Sequence, residues 1–252
     1  MKTLKQRIRA GEPLVGCFVM APSPTMVEMC GYAGFDFVVL DLEHGPAGTE
    51  SLENQIRAAE ASGAGSLVRV PWASRWQVQH PLDAGADGIV VPHVTSADDA
   101  REIVRWAHYP PDGVRGLAGT ARAGRHGNVP TGEHLANSLR KTAVVLQIED
   151  REALPHVSEI ASVEGVDALF IGPADLSASL GHPGNADAPD VVSAIEGIIK
   201  DASGKVAVSA FARDAQDGDR WRNGWGVPIL VLSTTFTFTQ ALRSLAAELV
   251  VR

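Results

Sequence analysis

The sequence predicts a single (β/α)₈ TIM barrel formed by residues 1–252. Its length matches the roughly 250 residues that are typical of this fold. Short apolar runs alternate with segments of helical periodicity along most of the chain, as in parallel strands joined by helices. Hydrophobic residues make up 45% of the chain, which is enough for a sizeable core, and no low-complexity stretch or linker divides it.

Eight strands are expected, because each apolar run is short and is followed by turn residues or a helical pattern. They cover residues 14–20, 35–42, 66–70, 88–91, 144–148, 168–172, 206–210 and 229–232. Helices are expected at 24–32, 49–62 and 96–107, and a short amino-terminal helix ends at Gly11. Residues 109–130 are rich in Gly, Pro and Arg and are expected to be irregular. The segment is longer than a simple connection, so we expect it to have a role beyond joining two elements.

The composition argues against several classes of protein. The net charge is −8 and basic clusters are absent, so binding to nucleic acid or to an anionic membrane is not expected. Neither a signal peptide nor an apolar run of membrane-spanning length is present, and we expect a cytoplasmic protein. Cys17 and Cys30 lack metal-ligand spacing and are expected to be buried free thiols.

Two acidic residues follow consecutive strands and suggest a metal site. Glu149 ends the fifth strand, and Asp175 follows the Gly-Pro that ends the sixth. Neighbouring strands lie about 4.8 Å apart, so both carboxylates could reach one Mg²⁺ or Mn²⁺ ion. Gln147 lies two residues before Glu149 and therefore on the same face of the strand. From these residues alone, a surface ion pair for Glu149 and a helix cap for Asp175 remain equally good interpretations.

Other ionisable residues follow strands on the same part of the predicted rim, where TIM barrels carry their chemistry. His44 follows the second strand in DLEHGP, and Arg69 ends the third in VRVPW. A cation with open positions could polarise a 2-oxo acid, while Arg69 neutralises the charge of the enolate. His44 could exchange a proton with the second substrate, and Asp83 could orient its imidazole. Such a set would form an enolate and add it to an aldehyde, or catalyse the reverse cleavage.

Several motifs in order resemble the metal-dependent pyruvate aldolases of the HpcH/HpaI family. The matching segments are GFDFVVLDLEHGP, LVRVP, LDAGADGIVVPHV, YPPDGVRG, LQIED and GVDALFIGPADLSASLG, within residues 14–185. The resemblance implies cleavage or formation of 4-hydroxy-2-oxo acids with Mg²⁺, Mn²⁺ or Co²⁺. It also implies a homo-oligomer, commonly a hexamer, whose last helix is exchanged between neighbouring barrels.

The resemblance assigns roles residue by residue. It implies metal ligation by Glu149 and Asp175, acid–base catalysis by His44 with Asp83, and binding of the pyruvyl oxygens by Arg69. The remaining residues implied to bind substrate are Gln147, Gly172, Pro173 and Ala174. An apolar stripe fits an exchanged helix or one that packs on its own barrel; it comprises Ala241, Leu242, Leu245, Ala246, Leu249 and Val250.

Alternative roles remain open for individual residues. His44 could be a turn histidine, Asp83 could cap a helix, and Arg69 could pair structurally with Asp41 or Glu43. His93 is expected to be a satisfied histidine at a strand end. The loop residues Arg115, Arg122, Arg125 and His126 could bind a distal substrate carboxylate or simply be solvated.

Rival mechanisms can be weighed from the sequence. A Schiff-base aldolase needs a lysine at the barrel mouth. The lysines that follow residue 5 are Lys141, Lys200 and Lys205, and all three are expected toward the opposite end. Alternatives that use the same site are oxaloacetate decarboxylation, enolate transfer as in macrophomate synthase, and non-catalytic binding of a 2-oxo acid. The match is loose beyond residue 185, where Ser233, Thr234 and Thr235 stand near the eighth strand, so the aldehyde is not predicted.

Overall fold

The computed structural model describes residues 2–250, without the side chain of Val250, and contains a closed parallel barrel. Its strands follow one another around the barrel in chain order, and β1 closes on β8. They are β1 Leu14–Val19, β2 Phe37–Asp41, β3 Gly65–Arg69, β4 Gly88–Val91, β5 Ala143–Ile148, β6 Ala168–Ile171, β7 Ala207–Phe211 and β8 Ile229–Ser233. The predicted (β/α)₈ fold is confirmed, with strand ends that differ from expectation by one or two residues.

Helices separate the strands and form the outer layer. They are α1 Leu4–Arg9, α2 Pro24–Tyr32, α3 Thr49–Ser62, α4 Arg75–Asp83, α5 Ala97–Ala107, α6 Thr131–Lys141, α7 Val157–Ala161, α8 Pro173–Ser179, α9 Pro189–Ala202, α10 Ala215–Asp219 and α11 Thr234–Val250. Ser96 caps α5 through the N–H of Asp99, as the sequence predicts. The sequence did not locate α4, which has Pro81 in its last turn, or α6. The irregular region 109–130 contains one short 3₁₀ segment, Arg122–Gly127.

Side chains from alternate strand positions fill the barrel interior. Phe18, Phe37 and Phe170 are at most 5% exposed and pack with valines from neighbouring strands. A second apolar layer lies between the strands and the helices, where Leu146 and Leu169 are fully buried. Because both faces of each strand are covered, the strands read as continuous apolar runs, and polar residues concentrate at their ends.

The amino end of the barrel carries a repeated Gly-x-Asp turn before β2, β4 and β6, at residues 34–36, 85–87 and 165–167. The three glycines have φ between +95° and +98°, a conformation that favours glycine. The side chains of Asp36, Asp87 and Asp167 each accept a main-chain N–H from the preceding strand at 2.8–2.9 Å. Each aspartate thereby links neighbouring strands where parallel pairing begins.

Helix α1 closes this end of the barrel by binding two of the three aspartates. Arg7 donates to Asp36 at 2.8 Å, and Arg9 pairs with Asp167. Lys5 is buried, lies 3.6 Å from the Asp167 carboxylate and donates to main-chain oxygens that include that of Thr142 at 2.9 Å. These contacts attach a six-residue helix that would not be stable alone.

The last helix, α11, projects from the barrel. Its contacts with the barrel are concentrated on β1 and β8, next to its own start. The side chains of residues 241–249 are all exposed, including those of Leu242, Leu245 and Leu249. The apolar stripe therefore does not pack on its own barrel in this structure, while the side chain of its last member, Val250, lies outside the described residues. No helix within residues 2–250 is both long enough and apolar enough to cross a bilayer.

Candidate active site

The carboxyl end of the barrel holds a buried arginine–carboxylate cluster. Arg69 at the end of β3 is 8% exposed and binds Asp41 of β2 through two hydrogen bonds, of 2.9 and 2.7 Å. Its third nitrogen, Nη1, lies 3.2 Å from Glu43, and the guanidinium stacks on Phe18 with 4.6 Å to the ring centroid. The planar fork is therefore fixed from several sides, as bidentate pairing requires.

Asp41 also shapes the loop that follows β2. Its Oδ1 accepts the main-chain N–H groups of Glu43 and His44 at 3.1 and 3.3 Å. Gly45 is required in this loop, because a Cβ atom there would lie 2.2 Å from the main-chain oxygen of Asp41. As a result the exposed imidazole of His44 stands at the barrel mouth, with its Nε2 3.8 Å from Glu43.

Glu149 is buried at the end of β5 and is only 1% exposed. Its Oε2 accepts a hydrogen bond from the side chain of Gln147, as expected for two residues on one strand face. The pKa of Glu149 is raised to about 7, chiefly by burial and to a smaller extent by the charge of Asp175, while the hydrogen bonds from His93 and Gln147 and the charge of His93 oppose the shift. Asp175 is exposed in the first turn of α8. The two predicted metal ligands are thus close enough to interact electrostatically.

The surroundings of Glu149 fit a hard cation and an oxygen-rich ligand. A Cβ atom at Gly172 would lie 2.7 Å from Oε2 of Glu149, so a side chain at this position would displace the carboxylate. The buried Oε1 of Gln147 has no hydrogen-bond partner among the described residues. Within the same residues no three His, Cys, Asp or Glu side chains form a complete metal site. A cation at Glu149 and Asp175 would therefore keep positions for water and substrate.

His93 is a site residue that the sequence analysis underestimated. Its main-chain N–H donates to Oε1 of Glu149 at 3.0 Å, and its Nδ1 lies 3.0 Å from Oδ2 of Asp150. Partial burial opposes protonation of the imidazole, but the bond with Asp150 and the charges of Glu149 and Glu43 together raise its pKa. The available signal was its position two residues after the end of β4, the rule that selected the other mouth residues. The expectation of a histidine satisfied at a strand end omitted this contact with Glu149.

Asp83 does not approach His44 within one chain, so the pairing is not formed inside a single barrel and stays a prediction. Helix α4 runs back from the carboxyl end of β3, so its last residue, Asp83, lies at the amino end. There the carboxylate accepts a 2.6 Å bond from Arg115, whose guanidinium also stacks on Tyr109.

The arginines of the long loop also lie away from the mouth of their own barrel. Arg122 pairs with Glu60 and donates to the main-chain oxygen of Ala84, the residue after α4. Arg125 and His126 are exposed. This arrangement favours structural or inter-chain roles over binding of a distal carboxylate within the same barrel.

All five lysines of the chain lie at the amino end. Lys2 pairs with Glu12, Lys5 with Asp167, and Lys205 donates to Ser158. The other two, Lys141 and Lys200, stand in the last turns of helices that lead back into β5 and β7. The structure therefore places no Schiff-base lysine at the mouth, in agreement with the sequence analysis.

Comparison with known proteins identifies close relatives over nearly the whole chain. The family model described as HpcH/HpaI aldolase/citrate lyase matches residues 14–226. The hydroxypyruvate/pyruvate aldolase of Roseovarius nubinhibens is 35% identical over 236 residues, which cover 91% of this chain and 89% of the relative. The 4-hydroxy-2-oxo-heptane-1,7-dioate aldolase of Escherichia coli is 39% identical over 195 residues, covering 77% and 74%.

A solved structure supports the same grouping. The HpcH/HpaI aldolase/citrate lyase family protein from Burkholderia cenocepacia superposes with a TM-score of 0.92 at 35% identity. The alignment covers 98% of each chain, so it includes the barrel and its projecting carboxyl-terminal part.

Proposed function

The chain belongs to the HpcH/HpaI aldolase/citrate lyase family, and on that basis we propose that it is a divalent-metal-dependent aldolase. It would cleave or form 4-hydroxy-2-oxo acids through the enolate of pyruvate. The observation that carries this proposal is the carboxyl end of the barrel, where buried Glu149 lies beside Gln147 and close to Asp175. Relatives at 35–39% identity are named as aldolases of small 2-oxo acids, which supports the same reaction class.

Glu149 and Asp175 would hold the cation, and Mg²⁺, Mn²⁺ and Co²⁺ all suit their oxygen ligands. When bound, the cation supplies a Lewis acid that polarises the carbonyl of the 2-oxo acid. Gly172, Pro173 and Ala174 form the start of α8. Gly172 donates its N–H to the main-chain oxygen of Ile148 at 3.4 Å and proline has no N–H, so the N–H of Ala174 is the one of the three that would bind the substrate carboxylate. Gln147 offers its unpartnered Oε1 to a donor on the ligand or on water.

Arg69 would bind the pyruvyl oxygens and neutralise the charge that develops there. Asp41 orients the fork through two hydrogen bonds, while Nη1 lies 3.2 Å from Glu43. Because the guanidinium is fixed before substrate arrives, little reorganisation is needed during the reaction. Asp41 and Glu43 thus act on Arg69 and on the following loop rather than on the substrate.

His44 would exchange the proton on the hydroxyl oxygen of the 4-hydroxy-2-oxo acid. Its imidazole is exposed at the mouth, and its backbone is fixed by Asp41. Asp83 could assist it only from another chain of an oligomer, since within one chain it lies at the opposite end of the barrel. A homo-oligomer, for which the resemblance suggests a hexamer, would also cover the exposed apolar residues of α11. Cytoplasmic location stays a prediction from the sequence.

Exchange of the pyruvate methyl protons with solvent tests the proposal without knowledge of the aldehyde. The chelator-treated protein should not catalyse exchange, and added Mn²⁺ should restore it. The same sample should release an aldehyde from a 4-hydroxy-2-oxo acid, which separates aldolase activity from oxaloacetate decarboxylation. Exchange that is independent of the cation, or unchanged in Glu149→Ala, would refute the proposal.

A further inference from the structure

His93 has a strained backbone at the edge of the proposed site. Its φ is +56°, and the only other non-glycine residues with positive φ within residues 2–250 are Arg125 and His126. A non-glycine residue in this region costs about 1–3 kcal/mol, and it persists where surrounding contacts compensate that cost. The strain therefore points to contacts that depend on this conformation.

The conformation turns the chain so that two successive N–H groups meet the end of β5. The N–H of His93 donates to Oε1 of Glu149 at 3.0 Å, and the N–H of Val94 returns to the main-chain oxygen of Gln147 at 3.4 Å. Gln147 holds the other carboxylate oxygen, Oε2. Both oxygens of Glu149 are thus fixed by neighbouring groups, although the side chain could otherwise rotate about its last bond.

The imidazole of His93 stabilises this turn from the solvent side. Its Nδ1 lies 3.0 Å from Asp150 and 3.5 Å from Oε1 of Glu149, and its Nε2 lies 3.7 Å from Glu43. The ring therefore sits among three carboxylates while its side chain remains 56% exposed. These contacts offset the backbone strain and hold the N–H directed at Glu149.

We propose that His93 is a positioning residue that orients the Glu149 carboxylate for the cation through its left-handed main chain. The inference rests on the proposed function in one respect, namely that Glu149 is a metal ligand. Groups that orient a ligand typically change metal affinity by about 10–100-fold when they are removed. The effect should depend on the backbone conformation more than on the imidazole.

Titration of chelator-treated protein with Mn²⁺ by calorimetry tests this proposal directly. In His93→Val the β-branched side chain disfavours positive φ, and Mn²⁺ should bind about tenfold or more weakly. In His93→Gly the conformation is free of strain and the N–H is kept, so the Mn²⁺ dissociation constant should stay within about threefold of wild type. If His93→Val does not fold, His93→Ala takes its place, because alanine also disfavours positive φ.

Control variants distinguish a failure of the His93 positioning role from a failure of the proposed metal site. His126→Val changes another left-handed residue, with φ +55°, which lies outside the site, and should leave Mn²⁺ binding unchanged. If Glu149→Gln abolishes Mn²⁺ binding but the valine and alanine variants bind like wild type, the positioning role of His93 is wrong while the metal site stands. Equal weakening in His93→Gly and His93→Val would also overturn it, since the imidazole rather than the backbone would then matter. Wild-type binding in Glu149→Gln would instead reject the proposed metal site.

Discussion

At the amino end of the barrel, Asp36 and Asp167 of the repeated turn are paired with basic side chains of α1, whereas the buried Glu149 at the carboxyl end has no lysine or arginine partner among the described residues. Asp167 binds Lys5 and Arg9, and its second oxygen accepts the N–H of Val144. Glu149 is equally buried, yet no lysine or arginine among the described residues lies within ion-pair distance of it. A buried carboxylate is thus paired with lysine and arginine at one end, whereas at the other end its nearest basic side chain is the partly exposed imidazole of His93, 3.5 Å away.

This difference separates residues that hold the fold from residues available for chemistry. A buried carboxylate without a paired cation is unfavourable, and burial accordingly raises the pKa of Glu149 to about 7. Strongly shifted groups in a barrel mouth are typical of active sites. The contrast predicts that substitutions at the two ends should affect stability and activity in opposite ways.

Replacement of Glu149 by glutamine should have the largest effect on activity. The variant loses a proposed cation ligand, so kcat/KM should fall by about 10³ or more, equivalent to several kcal/mol of transition-state stabilisation. The metal-free variant should nevertheless unfold at a higher temperature than metal-free wild type at pH 8, because no charge is buried. Steady-state kinetics and thermal unfolding measure the two effects.

The matched control is Gln147→Glu, which adds a second carboxylate at the same strand end. It should lower the unfolding temperature of the metal-free protein above pH 7, since two charges would then be buried together. A Glu149→Gln protein that is less stable than wild type at pH 8 would contradict this account of the mouth.

Replacement of Asp167 by asparagine should show the reverse pattern. The buried ammonium of Lys5 loses its carboxylate, and burial already lowers the pKa of that lysine. We expect a loss of about 3 kcal/mol in the free energy of unfolding, as for other broken buried pairs. The folded variant should keep wild-type KM and kcat, since α1 closes the end opposite the mouth. Urea unfolding and kinetics at low temperature check both statements.

The sequence was sufficient for the fold and for the residues that end strands. Apolar runs that are buried on both faces stand out, and Glu149 follows directly from where β5 stops. It was insufficient where a contact depends on chain direction or on a turn. Asp83 is placed by the return path of α4, and His93 reaches Glu149 only because its backbone is left-handed. Neither property is encoded in the local apolar pattern.

The pH dependence of Mn²⁺ binding should report the raised pKa of Glu149. The proton must leave Glu149 before the cation binds, so the apparent affinity should be constant above about pH 7 and fall by up to about tenfold per unit below it. In Glu149→Gln this dependence should disappear along with most of the binding. Calorimetric titrations between about pH 5.5 and about pH 8.5 measure the curve. A flat profile across this range in the wild-type protein would argue against the raised pKa.

The stability of the metal-free protein should change in the same pH interval. The folded chain binds this proton more tightly than the unfolded chain, whose glutamate titrates near 4.5. Protonated Glu149 therefore makes its full contribution to the free energy of unfolding below pH 4.5. That contribution is lost as the pH rises through about 7.

The smallest effect is expected at Asp87, the third aspartate of the repeated turn. It accepts the N–H of Ser66 at 2.9 Å, but no cation of the described residues lies within ion-pair distance of it. Burial raises its pKa, so its ionisation costs stability as the pH rises through that pKa. Asparagine keeps an acceptor for Ser66 and removes the charge, so Asp87→Asn should change the free energy of unfolding by less than about 1 kcal/mol at pH 8. Urea unfolding beside Asp167→Asn provides the comparison, because the substitution and the turn are identical and only the cations differ. If Asp87→Asn lowered the free energy of unfolding as much as Asp167→Asn, the aspartates would stabilise the fold through the turn rather than through pairing with α1.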